Sequence, residues 1–403
     1  MTSSKINPTP TLTKVLLGLI FAGIAIRLLL ACTTLGTNDL FFFVNFAAAT
    51  AKFGVFKAYE VIPYWYNHPP ITALGLDLIG HTGTSEHLHA LADAAIRPGH
   101  LSQHPISEYV PYAIGMRLIP ILADCLSIFL AFRLGGAIPA VVVALSPTLI
   151  LTSGYHGNTD CIVAAGILLA FYLTRQNKPL LAGIATALTG AVKLPGLLTI
   201  PTFASVTNKE SRIKYLLASI LLTAAIFGTW VVFAGKPFIH NVIAYHPDSK
   251  QHWWGLTYIL GATGIPSQAW FARATSIGAW ACSFFCAWRL RNHPNPAAPT
   301  AIALLGALAL ANNVGVQYFA WVVPIAALLS PTRTMIYSCL AAVMQGTLYV
   351  LWAKAATPSL WYFSNAIANK VPDFWYELLS LPIWLFIVYW VTSTLLYPQT
   401  PKQ

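Results

Sequence analysis

The sequence has 403 residues, of which 57% are hydrophobic and 9% are charged. A soluble domain carries about 25% charged residues, so this composition excludes a soluble globular protein and indicates a chain that faces lipid over much of its surface. The formal net charge of +11 is scattered, without a basic block or a recognition motif, which argues against nucleic-acid binding. Lysine and arginine kept on the cytoplasmic side of a membrane explain the excess.

Apolar runs follow one another along the whole chain. A bilayer core requires about 20 apolar residues per helix, and shorter runs are typical of broken helices or re-entrant segments that line a cavity. We therefore predict an all-α fold, a polytopic transmembrane bundle of about 10–13 helices, in a single membrane-embedded domain over residues 1–403. The runs cover residues 13–35, 109–133, 136–153, 160–174, 180–192, 195–207, 215–234, 269–290, 299–312, 316–329, 334–353 and 379–397.

The distribution of charge predicts the orientation. With the N-terminus in the cytoplasm, the loops rich in lysine and arginine lie inside, and nearly all acidic residues and histidines lie outside. The positive-inside rule therefore predicts a multi-pass protein of the cell membrane with its titratable chemistry on the extracytoplasmic face. Three long outer segments cover about residues 36–108, 235–268 and 354–378, and the first contains a mixed stretch typical of helices at the membrane interface.

The predicted first helix contains Arg27 and ends shortly before Asp39. A signal-peptide core avoids charge, so Arg27 indicates an uncleaved helix. An acid at the membrane–water boundary can reach both lipid-borne groups and water-soluble molecules, which makes Asp39 a candidate functional residue. Aspartate is also among the best N-cap residues, and the alternative is that Asp39 caps the helix that follows.

Arg27, Arg117, Asp124 and Lys193 are ionisable residues within apolar runs. Each costs about 2.5–3.5 kcal/mol at the bilayer centre, so each is expected to face protein or a water-filled cavity. Two interpretations are open. Either these side chains pair between helices, or a guanidinium such as that of Arg117 binds a lipid phosphate, since its fork matches phosphate oxygens.

Three polar stretches interrupt the apolar pattern. Residues 154–160 end in Asp160, which either caps the next helix or belongs to a site. Residues 246–254 combine His246 with Trp254, a combination typical either of an interfacial aromatic belt or of a platform for a sugar ring. Residues 312–318 contain the amide of Gln317, which either satisfies helix ends or contributes to a site.

Motifs for metals and nucleotides are absent from the sequence. Zinc spacings such as His-Glu-x-x-His, Walker loops and dinucleotide-binding glycine patterns do not occur. The six cysteines form no Cys-x-x-Cys pair and are expected to be buried thiols. We therefore expect no metal and no cofactor.

Taken in chain order, the polar motifs resemble those of the GT-C superfamily of integral membrane glycosyltransferases. The likeness is to the bacterial branch related to polyprenyl-phosphate-mannose-dependent mannosyltransferases, and it covers about residues 15 to 330. Two positions depart from the family pattern: Asn158 stands where glutamine is usual, and His68 precedes the double proline. The resembling residues are Arg27, Asp39, Tyr66-Asn67-His68-Pro69-Pro70-Ile71-Thr72, Arg117-Leu118-Ile119-Pro120 with Asp124, Gly157-Asn158-Thr159-Asp160, Lys193-Leu194-Pro195 with Pro201, Trp254-Gly255-Leu256, and Gln317-Tyr318 with Trp321 and Pro324.

The resemblance implies a glycosyltransferase that moves a hexose, mannose in this branch, from a polyprenyl-phosphate donor. The acceptor would be a hydroxyl of a glycan or glycolipid on the extracytoplasmic face, and the transfer would invert the anomeric configuration without a metal. Asp39 would be the general base, and Arg117, Lys193 or His246 would hold the donor phosphate. Substrate contacts are implied for Tyr66, His68, Asp160, Trp254, Gln317 and Tyr318.

Two other classes of function are compatible with intramembrane charges. A carrier or flippase for a lipid-linked or polar solute predicts internal repeats, and none is evident in the sequence. A structural subunit of a membrane assembly predicts no dependence on Asp39.

Overall fold

A computed structural model describes residues 10–34, 36–62, 66–82, 106–245, 254–263, 269–352 and 373–397. Within these ranges the chain forms helices and no strand. The predicted all-α class is therefore confirmed.

The first part of the chain places short helices between two long ones. Gly54, with φ at +83°, ends the second helix, and Pro70 at the first position of the fourth fits a helix start because its fixed φ is already helical. The five helices are α1 (Pro10–Thr33), α2 (Asn38–Phe53), α3 (Ala58–Val61), α4 (Pro70–Gly80) and α5 (Ile106–Gly135). The predicted helices of the first outer segment thus correspond to α2, α3 and α4.

The middle of the chain is interrupted by irregular turns. Its helices are α6 (Ala137–Leu145), α7 (Pro147–Ile150), a π-helical turn (Leu151–His156), α8 (Asp160–Arg175), α9 (Pro179–Val192), a 3₁₀ turn (Leu194–Leu198), α10 (Thr199–Val206), α11 (Lys209–Phe238) and a second π-helical turn (Ile239–Ile243). The last part holds α12 (Gly255–Ala262), α13 (Ala269–Arg289), α14 (Ala298–Leu310), the 3₁₀ segment Val316–Trp321, α15 (Val323–Leu329), α16 (Pro331–Trp352) and α17 (Asp373–Leu396).

Five of the described helical stretches are long and apolar enough to cross a membrane. The pair formed by residues 137–145 and 147–156 qualifies as a sixth if it is counted as one span, although it bends by 48°. Several predicted runs are thus not whole spans, because prolines and irregular turns break them into shorter apolar helices. The five stretches are Thr13–Thr33, Pro111–Gly135, Lys209–Ile243, Pro331–Leu351 and Phe374–Leu396.

A buried ion pair joins α1 to α5. Arg27 Nε donates to Asp124 Oδ2 at 2.7 Å, and neither side chain is exposed. The same guanidinium donates to the carbonyls of Ala144 at 2.6 Å and Val143 at 3.2 Å, at the end of α6. Ser153 adds a hydrogen bond to Asp124 Oδ2 at 2.8 Å. The pairing interpretation thus holds for Arg27 and Asp124, which tie α1, α5 and the broken α6–α7 region together.

Candidate active site

Asp39 lies in the first turn of α2 but does not cap it. The N-cap position is Thr37, and no side chain makes a capping hydrogen bond there. The negative charge of Asp39 still suits the positive end of the helix dipole. Its carboxylate is 33% exposed and is directed at another part of the chain, so the capping interpretation is wrong.

Two side chains from residues 151–158 hold the Asp39 carboxylate. His156 Nε2 lies 2.7 Å from Asp39 Oδ2, and Asn158 Nδ2 donates to the same oxygen at 2.9 Å. Asp39 Oδ1 accepts no hydrogen bond from the described residues, which leaves it open to a ligand. Burial raises the pKa of Asp39, but the charge and hydrogen bond of His156, the charge of Lys193 and the hydrogen bond of Asn158 outweigh it and lower the pKa below 3.8.

The π-helical turn Leu151–His156 brings these two donors to Asp39. Gly157 follows it with φ at +73°, a conformation that glycine adopts without strain. A Cβ at this position would lie 2.4 Å from the Leu40 side chain and 2.7 Å from that of Arg117. Only a glycine therefore lets the turn pack directly against the start of α2. Single π-helical turns often mark functional sites.

A second charged cluster is centred on Lys193, at the end of α9. Lys193 Nζ donates to both carboxylate oxygens of Asp160, at 2.8 and 2.9 Å. Trp321 Nε1 also donates to Asp160, which is fully buried. Thr159 occupies the N-cap of α8 without a side-chain capping hydrogen bond. Asp160 binds a lysine and an indole instead of capping the helix.

The ring of Tyr318 contacts both Lys193 and Trp321. Lys193 Nζ lies 4.4 Å from its centroid, and the Trp321 ring stacks with it at 4.6 Å with an angle of 18°. Such cation–π contacts favour a fixed position for the ammonium. Lys193 Nζ also lies 5.6 Å from the Trp321 centroid, too close for the ammonium and the indole to lie on opposite faces of Tyr318, so these contacts fix Tyr318 without covering both of its faces.

His68 lies between the two charged clusters, in a surround of aromatic rings. The centroids of Phe43, Phe46 and Tyr66 are 5.1, 5.5 and 5.5 Å from that of His68. Burial and the charge of Lys193 lower the pKa of His68 to about 3, although the charge of Asp39 opposes the shift. His68 is therefore a neutral hydrogen-bonding group within reach of both charges. Tyr66 is fully buried, and its ring packs against that of His68.

The guanidinium of Arg117 donates its hydrogen bonds to oxygen atoms of the protein. Its Nη2 donates to the carbonyl of Thr34 at 2.6 Å, and its Nη1 donates to Thr34 Oγ1 at 2.9 Å. Its Nε donates to the carbonyl of Ala113 at 3.0 Å, and the side chain has no exposure. This placement corrects the prediction that Arg117 holds a phosphate: the guanidinium instead fixes the end of α1 against α5.

The remaining predicted residues are less central. Trp254 is fully buried, and its Nε1 donates to the carbonyl of Leu308 at 2.8 Å, so the sugar platform predicted there is wrong and the indole belongs to the core. Gln317 is partly buried beside Gly315, on the 3₁₀ segment that carries Tyr318. His246 lies outside the described residues.

Several residues of the site had no role predicted for them. His156 and Asn158 lie in a motif that the sequence singles out, yet nothing local shows that they face Asp39. Tyr349 binds His156 Nδ1 through its hydroxyl at 2.8 Å, and Tyr245 lies near enough to Asn67 and Asp39 for both to affect the pKa of its hydroxyl. In the described part of the chain, no group of three or more histidine, cysteine, aspartate or glutamate residues could hold a metal ion.

The two clusters together can accept a proton and bind an anion. Asp39 offers a partly exposed, ionised carboxylate, and the Lys193 ammonium lies close enough to lower the pKa of that carboxyl. A general base and fixed positive charge are the groups that a displacement at carbon with a phosphate leaving group requires.

Comparison with known proteins agrees with this chemistry. None of the curated proteins matches the chain. The family described as "Glycosyltransferase family 87" matches residues 105–312, just over half of the chain. The matched range includes His156, Asn158, Asp160 and Lys193, whereas Asp39 and Tyr349 lie outside it. The chain belongs to glycosyltransferase family 87, a family of GT-C-type membrane glycosyltransferases.

Proposed function

We propose that this glycosyltransferase moves a hexose, mannose by its resemblance, from a polyprenyl-phosphate donor to an acceptor hydroxyl at the extracytoplasmic face, with inversion and without a metal. The observation that carries the proposal is the state of Asp39. Its carboxylate is ionised, one-third exposed and held through a single oxygen by His156 and Asn158. A general base for an incoming hydroxyl needs this combination of charge, access and fixed orientation.

In the proposed step, a lone pair of the acceptor oxygen forms a bond to the anomeric carbon. The bond from that carbon to the phosphate oxygen breaks, and its electron pair remains on the phosphate. Asp39 Oδ1 takes the proton of the acceptor hydroxyl and later releases it to solvent. One carboxylate acting in one displacement gives inversion.

Lys193 is the group we assign to the donor phosphate. Its ammonium is partly exposed and lies close enough to Asp39 to lower the pKa of that carboxyl. Asp160, Tyr318 and Trp321 fix its position without covering it completely. His68, which is neutral and lies between Lys193 and Asp39, is placed to hydrogen-bond a sugar hydroxyl.

A transfer assay with defined donors tests the proposal. The purified protein in proteoliposomes would be given either polyprenyl-phosphate-mannose or a nucleotide-linked mannose, with an exposed glycolipid acceptor. We expect transfer from the lipid-linked donor alone, and an inverted anomeric linkage by nuclear magnetic resonance. Transfer from the nucleotide sugar, or retention of configuration, would contradict the proposal. Movement of the donor across the bilayer without transfer would favour the carrier interpretation.

Replacing Lys193 is expected to weaken use of the donor. We predict that Lys193→Met raises the KM for the lipid-linked donor about 10- to 100-fold, because a charge-assisted hydrogen bond contributes about 1.5–3 kcal/mol. Lys193→Arg keeps the charge and should change this KM much less. The measurement is steady-state transfer over a range of donor concentrations.

A double variant separates phosphate binding from neutralisation of Asp160. Lys193→Met leaves the buried Asp160 without its cation, which can itself disturb the site. In Lys193→Met/Asp160→Asn that charge is absent, and we expect thermal stability to recover while the KM stays high. Recovery of the KM in the double variant would assign Lys193 to charge compensation only.

The pH dependence of transfer should change when His156 is replaced. His156 makes the largest contribution that lowers the pKa of Asp39, while burial raises it. In His156→Gln the Asp39 carboxyl stays buried but loses the charge of His156, so its pKa rises. When the pH is lowered, the carboxylate of the variant is therefore protonated, and activity lost, at a higher pH than in the wild type. Profiles of kcat/KM against pH for the variant and wild type measure this shift, with the exposed His81→Gln as control. An unchanged acid limb would show that Asp39 does not need His156 to stay ionised.

A further inference from the structure

One face of α16 carries polar side chains within an apolar, membrane-spanning helix. Ser338, Gln345 and Tyr349 share this face, since spacings of seven and four residues correspond to about two turns and one turn of an α-helix. Ser338 and Tyr349 are buried, and Gln345 has no exposure. Polar side chains in such an environment are costly unless they bind partners. All of α16 lies beyond the residues that match the family.

Tyr349 contacts the Asp39 cluster through His156. Its hydroxyl lies 2.8 Å from His156 Nδ1, and His156 Nε2 lies 2.7 Å from Asp39 Oδ2. The three side chains form a continuous chain of hydrogen bonds from α16 to α2. A hydrogen bond at one imidazole nitrogen fixes the orientation of the ring and with it the position of the other nitrogen. Tyr349 can therefore set both the orientation of His156 and the nitrogen that faces Asp39.

Gln345 joins the same helix to both halves of the site. Its Nε2 donates to Thr152 Oγ1 at 3.0 Å and to the carbonyl of Val316 at 2.9 Å. Thr152 lies in the π-helical turn, and its carbonyl accepts from the Gly157 amide at 2.8 Å. Val316 begins the 3₁₀ segment that carries Tyr318 and Trp321. One amide group thus bridges the turn that holds Asp39 and the segment that holds Asp160 and Lys193.

We propose that Gln345 and Tyr349 of α16 are positioning residues, which set the geometry between the Asp39 base and the Lys193 cation. The inference rests on the proposed function, because it assigns the two clusters to one reaction. Neither side chain touches substrate. Both act through irregular backbone, the π-helical turn and the 3₁₀ segment, whose position is not set by regular helical hydrogen bonds alone. Misplacement by about 1 Å can reduce an enzymatic rate about 100-fold.

A double-mutant cycle tests the role of Tyr349. We expect Tyr349→Phe to lower kcat about 10- to 100-fold with the donor KM within about twofold of wild type. In the background of His156→Ala the same change should have no further effect, because Tyr349 acts through His156. Independent, multiplicative losses in the double variant would overturn this assignment, as would a wild-type kcat for Tyr349→Phe.

Gln345→Met keeps the volume of the side chain and removes the bridging amide. We expect kcat to fall about 10- to 100-fold and the loss to persist in the background of His156→Ala, because Gln345 also acts on the Lys193 side. Ser338→Ala is the matched control. It removes the hydrogen bonds that the Ser338 hydroxyl makes with Ser146 Oγ and with the Thr148 backbone amide, away from both clusters, and should lower thermal stability without changing kcat. Equal losses of kcat in Gln345→Met and Ser338→Ala would show that α16 acts only through stability.

The variant Asp39→Asn, measured in the same series, distinguishes failure of this inference from failure of the proposed function. Wild-type rates for Gln345→Met and Tyr349→Phe beside an inactive Asp39→Asn would overturn the role of α16 and leave Asp39 in place. Normal transfer by Asp39→Asn beside slow Gln345→Met and Tyr349→Phe would overturn the assignment of the base and leave the positioning role of α16.

Discussion

The variant Asp39→Asn is expected to abolish sugar transfer while leaving the fold intact, with a loss of about 10²–10⁴-fold for a positioned general base. Asparagine has nearly the same size, and its carbonyl oxygen can take the position of Oδ2 and accept from His156 and Asn158. Its amide nitrogen then occupies the position of Oδ1, where the proton acceptor is needed. The change therefore removes the base and retains the hydrogen bonds that position it.

Transfer rate and thermal unfolding of the purified variant are the measurements. Asp77→Asn is a matched control, because Asp77 is a partly exposed carboxylate on α4 beside His81 and outside the site. We expect the control to transfer sugar at the wild-type rate. A near-normal rate for Asp39→Asn would exclude Asp39 as the base and direct attention to Asp160.

Arg27→Met is expected to cause the largest loss of stability, about 3–5 kcal/mol, the effect of removing one partner of a buried ion pair. The Arg27 guanidinium bonds to Asp124 and to backbone carbonyls at the end of α6. Without it, the unexposed Asp124 carboxylate keeps Ser153 as its hydrogen-bond partner but loses its counter-charge. The measurement is thermal or denaturant unfolding in detergent, monitored by circular dichroism.

The double variant Arg27→Met/Asp124→Leu provides the internal comparison. It removes both charges together, and replacement of a buried pair by apolar residues is often close to neutral, so we expect most of the stability to return. Arg291→Met, at an exposed arginine beside Trp288, should have little effect. If the double variant were only as stable as Arg27→Met, removal of the unpaired carboxylate would have restored nothing, and the hydrogen bonds of Arg27 to the α6 carbonyls would be the main contribution.

Composition and hydropathy predicted the all-α membrane fold, but they did not predict where its helices break. The run at residues 136–153 reads as one segment, yet the chain bends by 48° between Leu145 and Pro147. Hydropathy measures how apolar a segment is and does not depend on the direction of its axis. The bend depends on Pro147 and on Ser338, a residue far away in the sequence, whose hydroxyl bonds to Ser146 Oγ and to the Thr148 backbone amide.

The candidate site was predicted in part. Asp39, His68, Asp160, Lys193 and Tyr318 were identified from the sequence, and the structure brings them together. The sequence did not show whether Trp254 lies at the surface as a platform for a sugar or in the core, because tryptophan occurs in both places. Its hydrogen bond to the carbonyl of Leu308 places it in the core. Gln345 and Tyr349 bind partners at residues 152 and 156, and no local pattern reveals contacts across such separations.

The pairing of Lys193 with Asp160 has a consequence for turnover. Under the proposed chemistry the donor is a phosphodiester with one negative charge, whereas the lipid phosphate left behind is a monoester that carries about −1.5 to −2 at neutral pH. A cation that binds the donor therefore binds the leaving product more tightly. Asp160, fully buried and within 2.8 Å, competes for the same ammonium, so the lysine recovers a counter-charge when the product departs. The carboxylate thereby assists product release and prepares the site for the next donor.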